Sequence, residues 1–487
     1  MNRQSHAQHT VEKIGGTSIS KTGSVLNNIL IGGREGDELY QRIFIVSAYA
    51  GITDMLLEDK KTGEPGVHAL FAGSESEWAW GDAISDVSAH MRRINADIFS
   101  GNTADRRTAD RFVRERIEGV RSCLLDLHRL CSYGHFNLNE HLATVREMLA
   151  GLGEAHSAHN TALLLQRHNV NAVFVDLTGW REESHQTLDG KIMSAIPQLD
   201  LSSSLPIVTG YAHCFGGVIE RYGRGYSEVT FSRIAVLTKA REAIIHKEFH
   251  LSSADPELVG RDRVRKIART NYDVADQLSN MGMEAIHPGA AKGLRQADIP
   301  LRIRNTFEPD DPGSEIRGDY VSGTPSAEII TGMKSVFALE FFEQDMVGVK
   351  GYDAAILDTL KRHRVRVVTK TSNANTIVHY LAGSLKAVRR VSNELRERYD
   401  SSRITVRKVS IVTAIGSDLN VPGLTALAVG ALADAGVEVL GVHQLIRNVD
   451  ILFILAEEDF ERAVIALHEG LIERRRGAAR KSSRQAA

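Results

Sequence analysis

The sequence predicts an α/β protein: a mostly parallel central sheet with helices on both faces, followed by a smaller α+β module. Three observations lead there. From Thr10 to about residue 330, short apolar runs alternate with helical patterns. Several of those runs are apolar at nearly every position. Beyond residue 330 the chain repeats itself. Continuously apolar runs fit strands covered on both faces, and strand–helix alternation fits a parallel sheet.

The candidate strands are Val11–Ile14, Arg42–Ser47, Ala172–Leu177, Leu205–Tyr211, Ala243–His246 and Leu301–Asn305. Residues 60–101 are polar, rich in Gly and Ser, and match no element. Val113, Ile117, Val120, Leu124, Leu127 and Cys131 then recur at steps of four and three, one apolar face of a helix. Cys123 and Cys131 read there as packing residues. With a second helix at Glu140–Leu149, residues 60–150 read as a helical insertion, a cap or a dimer element.

The acidic Pro/Gly stretch Asp310–Ser314 and the loop to Pro325 put a boundary near 330, so that 10–330 is one domain. Leu360–Val368 (LKRHRVRVV) and Leu432–Leu440 (LADAGVEVL) are then matching helix ends that run into strands, 72 residues apart. Each copy begins with a strand, at Val336–Phe342 and Val409–Ile415. Two βαββα units, 331–400 and 401–472, are expected to pair, since one alone buries little. Residues 1–9 and the basic stretch 473–487, with Arg474, Arg475 and Arg476, read as disordered termini.

A length of 487 residues fits two or three domains. Hydrophobic residues are 43% and charged residues 25%, with a formal charge of -2, which argues against a broad nucleic-acid surface. Cys123, Cys131 and Cys214 form neither a disulfide framework nor a zinc motif, so a reducing, cytoplasmic setting is expected. No apolar run nears the ~20 residues that span a bilayer. The polar N-terminus is not a signal peptide. Neither nucleic acid nor membrane is an expected partner.

Five motifs carry candidate chemistry. Lys13-Ile-Gly-Gly-Thr-Ser18 follows the first strand, placing a lysine at the sheet edge where ligands bind in such folds. Gly15 and Gly16 let the backbone approach a ligand, and N–H groups with the Thr17 and Ser18 hydroxyls suit phosphate oxygens. A tight turn with an exposed lysine is the plainer reading, and the spacing is not that of a P-loop. Ser47-Ala-Tyr-Ala-Gly-Ile-Thr53 is either an anion-facing loop or an ordinary strand-to-helix turn. Gly153-Glu154-Ala-His-Ser157 reads as a helix start, where an acid is favourable in any case. Gly223-Arg224-Gly-Tyr-Ser227-Glu228 presents an arginine suited to bidentate carboxylate binding, with Ser227 alternatively a simple N-cap. His246-Lys247-Glu-Phe-His-Leu-Ser252-Ser-Ala-Asp-Pro256 is a strand followed by a polar loop.

In this order, with EAIHP at Glu284–Pro288 and IRNTFEPDDPGSEI at Ile303–Ile316, these motifs resemble the aspartate kinases of the amino-acid kinase fold. The C-terminal repeat resembles their tandem ACT domains. The resemblance runs from about Thr10 to Leu471, and the helical stretch before Glu154 and the loop at Lys247 look like the type associated with ectoine biosynthesis.

The resemblance implies ATP-dependent phosphorylation of the β-carboxylate of L-aspartate, with Mg2+ held mainly by the ATP phosphates and no protein metal site. It implies Lys13 and Glu228 as catalytic residues, with Glu228 where the family usually has Asp. Ser47, Thr53, Glu154 and Arg224 would bind aspartate: Arg224 its α-carboxylate, Glu154 its ammonium. Gly15, Gly16, Thr17, Ser18, His246, Lys247 and Ser252 would line the nucleotide. Departures fall on the nucleotide side: His246-Lys247 replaces Thr-Asp, Ser252 replaces Tyr, and Glu257 and Glu284 replace cations. Lys247 or Lys292 is the candidate substitute. Asp345, Met346, Gly348, Thr371, Ser372 and Asn373 would hold an amino-acid effector, lysine or threonine, in the first repeat. A homodimer or a dimer of dimers is expected. The rival readings are a kinase of another carboxylate and a catalytically weak amino-acid sensor. A fused homoserine dehydrogenase is not expected from the length.

Overall fold

A computed structural model of the chain describes residues 7–59, 62–73, 76–182, 186–283 and 285–473; the side chain of Arg224 also lies outside the described set. The chain divides into two compact units: Met1–His250 with Ile286–Gly318, and Leu251–Ala285 with Asp319–Ala487.

In chain order the strands are β1 (Thr10–Ile14), β2 (Arg42–Val46), β3 (Ala172–Val175), β4 (Leu205–Thr209), β5 (Glu242–Lys247), β6 (Arg269–Asn271), β7 (Leu301–Asn305), β8 (Ser314–Arg317) and β9 (Ile329–Phe342). They continue with β10 (Arg366–Ser372), β11 (Thr376–Ala382), β12 (Arg403–Ile415), β13 (Val439–Gln444) and β14 (Asp450–Leu455).

The first unit is built on the order β3-β4-β2-β1-β5-β7-β8. All neighbours are parallel except β8, which runs antiparallel to β7. Every residue of β1, β2 and β4 is buried, as strands covered on both faces must be. Because β1, β2, β4 and β5 are parallel, the loops that begin at Gly15, Ser47, Gly210 and Glu248 gather at one edge of the sheet. Lys13 pairs with Ile45 of β2 and Ile245 of β5, so it stands at the centre of that edge.

The helices differ from expectation in three places. The polar stretch 60–101 contains helices Val67–Ala72 and Glu77–Ile98. The second buries Trp80, Ile84, Val87, Met91 and Asn95, a stripe interrupted by polar residues on the other faces. It packs against helix Thr103–Ser132, which buries Val113, Ile117, Val120 and Leu124 as expected. Cys123 is exposed, one position off that stripe, so its expected packing role does not hold. The helix at Glu140–Leu149 and the one opening at Gly153 are a single helix, Leu142–Arg167, which places Glu154 in its middle. Gly153 is there for packing: a Cβ would stand 2.7 Å from that of Ala48.

The second unit carries a six-stranded antiparallel sheet, β10-β11-β9-β12-β14-β13. The first strands of the two repeats, β9 and β12, pair at its centre. Helices Tyr352–Arg362 and Leu385–Arg398 cover the first repeat; Leu424–Asp434 and Phe460–Leu467 cover the second. Each repeat has its own core, around Phe341, Leu360 and Leu395 in one and Val412, Leu432 and Phe453 in the other. The segment Leu251–Ala285 groups here because Ala254 and Val259 pack with Ile330, Val412 and Leu467. Among the described residues no helix is long and apolar enough to cross a membrane.

Candidate active site

Alternation along β1 sends Lys13 and Glu12 to opposite faces of the sheet. Lys13 is 8% exposed, and its Nζ lies 3.5 Å from Oε1 of Glu228. After Ile14 the chain turns through Gly15, which caps the short helix Gly16–Ile19. Gly16 lies so close to the next loop that a Cβ would meet the Ala48 carbonyl at 2.7 Å. Thr17 is exposed. Ser18 is buried: its hydroxyl donates to Glu248 Oε1 at 2.9 Å and accepts from Thr306 at 3.0 Å.

Two acids stand near Lys13, and their surroundings send them in opposite directions. Glu154 is 2% exposed. Ser227 donates its hydroxyl to Oε1 at 2.7 Å, while Oε2 is buried with no hydrogen-bond partner among the described residues. Burial pushes the carboxyl up to about 8, against the pull of the Ser227 hydroxyl and the Lys13 charge. Burial also acts to raise Glu228, but there the charges of Lys13 and Lys247 and the His287 backbone N–H, 2.5 Å from Oε2, outweigh it. Glu228 is therefore held below the ordinary carboxylate range. Ser227 is the second residue of helix Tyr226–Leu237, and Gly225, not Ser227, occupies its cap position.

The segments expected to hold substrate lie on neighbouring elements. The Ser47 carbonyl accepts the Ser157 hydroxyl at 2.8 Å, tying the loop after β2 to the Glu154 helix. Thr53 is half-buried in the first turn of helix Ile52–Leu56. The backbone of Arg224 lies in the turn Gly223–Gly225, directly before helix Tyr226–Leu237.

Of the residues expected to line the nucleotide, His246 and Lys247 part company. Lys247 sits at the end of β5, on the Lys13 face, where its charge reaches Glu228. The imidazole of His246 faces the other way. It is 3% exposed and its Nε2 lies 2.8 Å from Oε2 of the buried Glu12. The Glu12 carboxyl, which burial acts to raise, is pulled down to about 2 by that contact and by Arg42. What His246 offers the glycine turn is its carbonyl, which accepts the Gly15 N–H at 3.4 Å. Ser252 belongs to the second unit, where its hydroxyl donates to the Ala254 carbonyl at 2.7 Å. Glu257 and Lys292 are exposed, and Glu284 lies outside the described residues, as do Met1–His6 and the stretch from Arg474 onward.

The expected effector segments meet. The Glu343 N–H donates to the Asn375 carbonyl at 2.9 Å, joining the loop with Asp345, Met346 and Gly348 to the turn after Thr371 and Ser372. Asn373 caps that turn, its Oδ1 accepting the N–H groups of Asn375 and Thr376. Elsewhere, His250, Glu308 and Asp311 bring metal-ligating atoms within 4.8 Å of one another. Nε2 of His250 faces Glu308 at 3.0 Å and Nδ1 faces Asp311 at 3.7 Å, an imidazole between two carboxylates rather than one nitrogen shared by both.

Sequence reasoning missed Glu147. It is buried, and it accepts hydrogen bonds from the Tyr211 hydroxyl and from the N–H groups of Ile219 and Glu220. Its spacing of seven residues from Glu154, two helical turns, is the one signal the sequence held.

Comparison with known proteins gives the family. The profile of the Amino acid kinase family matches residues 8–305, and that of the ACT domain matches residues 401–469. The chain is 53% identical over 465 residues to aspartate kinase Ask_Ect of Stutzerimonas stutzeri, covering 96% of this chain and 98% of the relative. It is 27% identical over 303 residues to the aspartokinase of Saccharomyces cerevisiae, covering 56% of each. Among solved structures, E. coli aspartokinase III in complex with lysine and aspartate superposes with a TM-score of 0.69 at 18% identity, covering 96% of this chain and 100% of that one. Clostridium acetobutylicum aspartate kinase gives 0.68 at 18% identity, covering 95% and 100%. With a family profile over more than half its length and a relative this similar end to end, the chain belongs to the amino acid kinase family and, within it, to the aspartate kinases.

Proposed function

We propose that the chain transfers the terminal phosphoryl group of ATP to the β-carboxylate of L-aspartate, giving 4-phospho-L-aspartate. The observation that carries this reading is the pair of acids beside Lys13, one ionised and one with a buried, unpartnered oxygen. A β-carboxylate titrates at roughly 3.9 and is already a nucleophile at neutral pH, so no general base is needed. The requirement is to bring two anions together and offset the charge of the transferring group. Lys13, oriented by ionised Glu228, supplies a cation at the sheet edge, and Lys247 adds a second on the same face. The Gly15–Gly16 turn supplies the backbone N–H groups that follow Gly15, whose own N–H is taken by the His246 carbonyl. Glu154 Oε2 receives the substrate ammonium, Ser47 and Thr53 fix the substrate, and the turn carrying Arg224 receives its α-carboxylate.

These residues fit a nucleotide: a glycine turn, two lysines and small hydroxyl side chains suit phosphate oxygens. Mg2+, held mainly by those phosphates, would add positive charge where the phosphoryl oxygens need it. Lys247 takes part through its charge.

We carry the association with ectoine biosynthesis to this chain on the strength of the sequence motifs and the relative Ask_Ect. In the second unit the joined loops at Asp345–Gly348 and Thr371–Asn373 are the proposed site for lysine or threonine, and a homodimer is the proposed assembly.

The test is to incubate the protein with ATP, Mg2+ and L-aspartate and trap acyl phosphate with hydroxylamine. Aspartate hydroxamate that needs all three components supports the reading. A folded protein that gives none, beside a working control enzyme, overturns it in favour of an amino-acid sensor or a kinase of another carboxylate.

A further inference from the structure

Glu147 and Glu154 lie seven residues apart on helix Leu142–Arg167, on one face and about 10 Å apart along the axis. Glu154 takes the Ser227 hydroxyl at 2.7 Å. Glu147 takes the N–H groups of Ile219 at 2.8 Å and Glu220 at 3.1 Å on Oε1, and the Tyr211 hydroxyl at 2.8 Å on Oε2. The stretch between those contacts, Val218–Ser227, contains the Gly223–Gly225 turn with Arg224. One helix face thus grips both ends of the segment that carries the turn.

Burial of Val218 and Ile219 in the core anchors the near end, and the bonds to Glu147 set its place along the helix face. The Val218–Tyr222 helix is a five-residue piece entered through Gly217 at φ +67° and left through Gly223 at φ +61°, conformations that glycine adopts readily. Gly217 is pressed against the acid: a Cβ there would stand 2.4 Å from Glu147 Oε1. Tyr211 extends the grip, because its ring packs edge-on against Tyr226, the first residue of the next helix, at 5.7 Å between centroids.

We propose that Glu147 is a positioning residue for aspartate: through Ile219, Glu220 and Tyr211 it sets the place of the Arg224 turn relative to Glu154, and so the spacing of the carboxylate and ammonium sites. This rests on the reading that the turn binds the substrate α-carboxylate.

The test is a mutant cycle on the full chain, with aspartate and ATP varied separately. Glu147→Gln keeps the size but offers one oxygen where two served. It is expected to raise the aspartate KM about tenfold, as small misplacements do, with the ATP KM within about twofold of wild type. In an Arg224→Ala background it should add nothing, because both changes remove the same contact. If Glu147→Gln folds poorly, Tyr211→Phe, which removes one bond to Glu147 and leaves the acid in place, should show the same selective rise in smaller measure. Effects of Glu147→Gln and Arg224→Ala that multiply, a rise in both KM values alike, or an unchanged aspartate KM with folded protein would overturn the proposal. If Arg224→Ala itself leaves the aspartate KM unchanged, the reading of the turn fails and the proposal with it; if Arg224→Ala raises it and Glu147→Gln does not, only the positioning role fails.

Discussion

Ser227 donates its hydroxyl to Oε1 of Glu154 at 2.7 Å, joining helix Tyr226–Leu237 to helix Leu142–Arg167 beside Lys13. It satisfies one oxygen of the carboxylate and leaves the other for an incoming cation.

The Glu154 carboxyl, pushed up to about 8 by burial, is largely protonated at neutral pH in the absence of aspartate. An ammonium pairs with the ionised form, so binding must expel the proton. The aspartate KM is expected to fall about tenfold per pH unit as pH rises toward that value, then level off. The same shift has a stability side. A carboxyl raised on folding favours the folded state most below its ordinary value of 4.5 and loses that contribution as pH rises through about 8. Aspartate should therefore raise the melting temperature more at pH 8 than at pH 6. Initial rates and thermal melts across that range check both statements, and Glu154→Gln should abolish the pH slope. A slope that survives the substitution assigns the dependence to another group.

Lys13→Met is expected to lower kcat by about 10²–10³, the scale of losing one electrostatic donor to a developing charge. It also leaves Glu228 buried without its main cation, which costs stability. The double variant Lys13→Met/Glu228→Gln separates the two effects: thermal stability should recover and turnover should not. Turnover that returned with stability would make the lysine a structural residue.

Much of this site was legible in the sequence, for a physical reason. Lys13, Glu154 and Glu228 stand in short motifs at strand ends or beside glycines, where a parallel sheet collects its ligands. What hid was set by distant partners. The helix Glu77–Ile98 escaped notice because its apolar stripe ends at Asn95, whose Oδ1 is buried 2.7 Å from Nε2 of His156 and 2.8 Å from Nδ2 of Asn160. Glu147 escaped because its partners are backbone N–H groups more than seventy positions on, which no motif can announce. The direction of His246 depended on the parity of β5 against β1, since a shift of one residue exchanges the two faces of a strand.

That parity can be tested. The Glu12–His246 contact is buried on the face away from Lys13, so His246→Ala removes one partner of a buried acid. It is expected to cost about 3–5 kcal/mol of stability while leaving the aspartate and ATP KM values within about twofold. Glu12, held down to about 2, contributes stability that is present above its ordinary 4.5 and lost as pH falls through about 2. Acid unfolding of the variant should accordingly begin at higher pH than in wild type. A selective rise in the ATP KM with stability unchanged would return His246 to the nucleotide site.

Gly16 offers the narrowest test of the glycine turn. A Cβ there would stand 2.7 Å from the Ala48 carbonyl oxygen, a backbone atom that cannot swing aside as a side chain can. Gly16→Ala must therefore push apart the turn that follows Lys13 and β1 and the loop that Ser47 opens after β2. A displacement of even ~1 Å between groups that hold the two reactants is enough to lower kcat/KM by about 10²-fold. The fold should survive, because the strain falls on two loops at the sheet edge and leaves the buried pairing of β1 with β2 and β5 intact. Gly23→Ala is the control: a Cβ there meets nothing within 4 Å, and activity should match wild type. Equal kinetics for Gly16→Ala and Gly23→Ala would mean that the distance between the two loops does not govern the reaction.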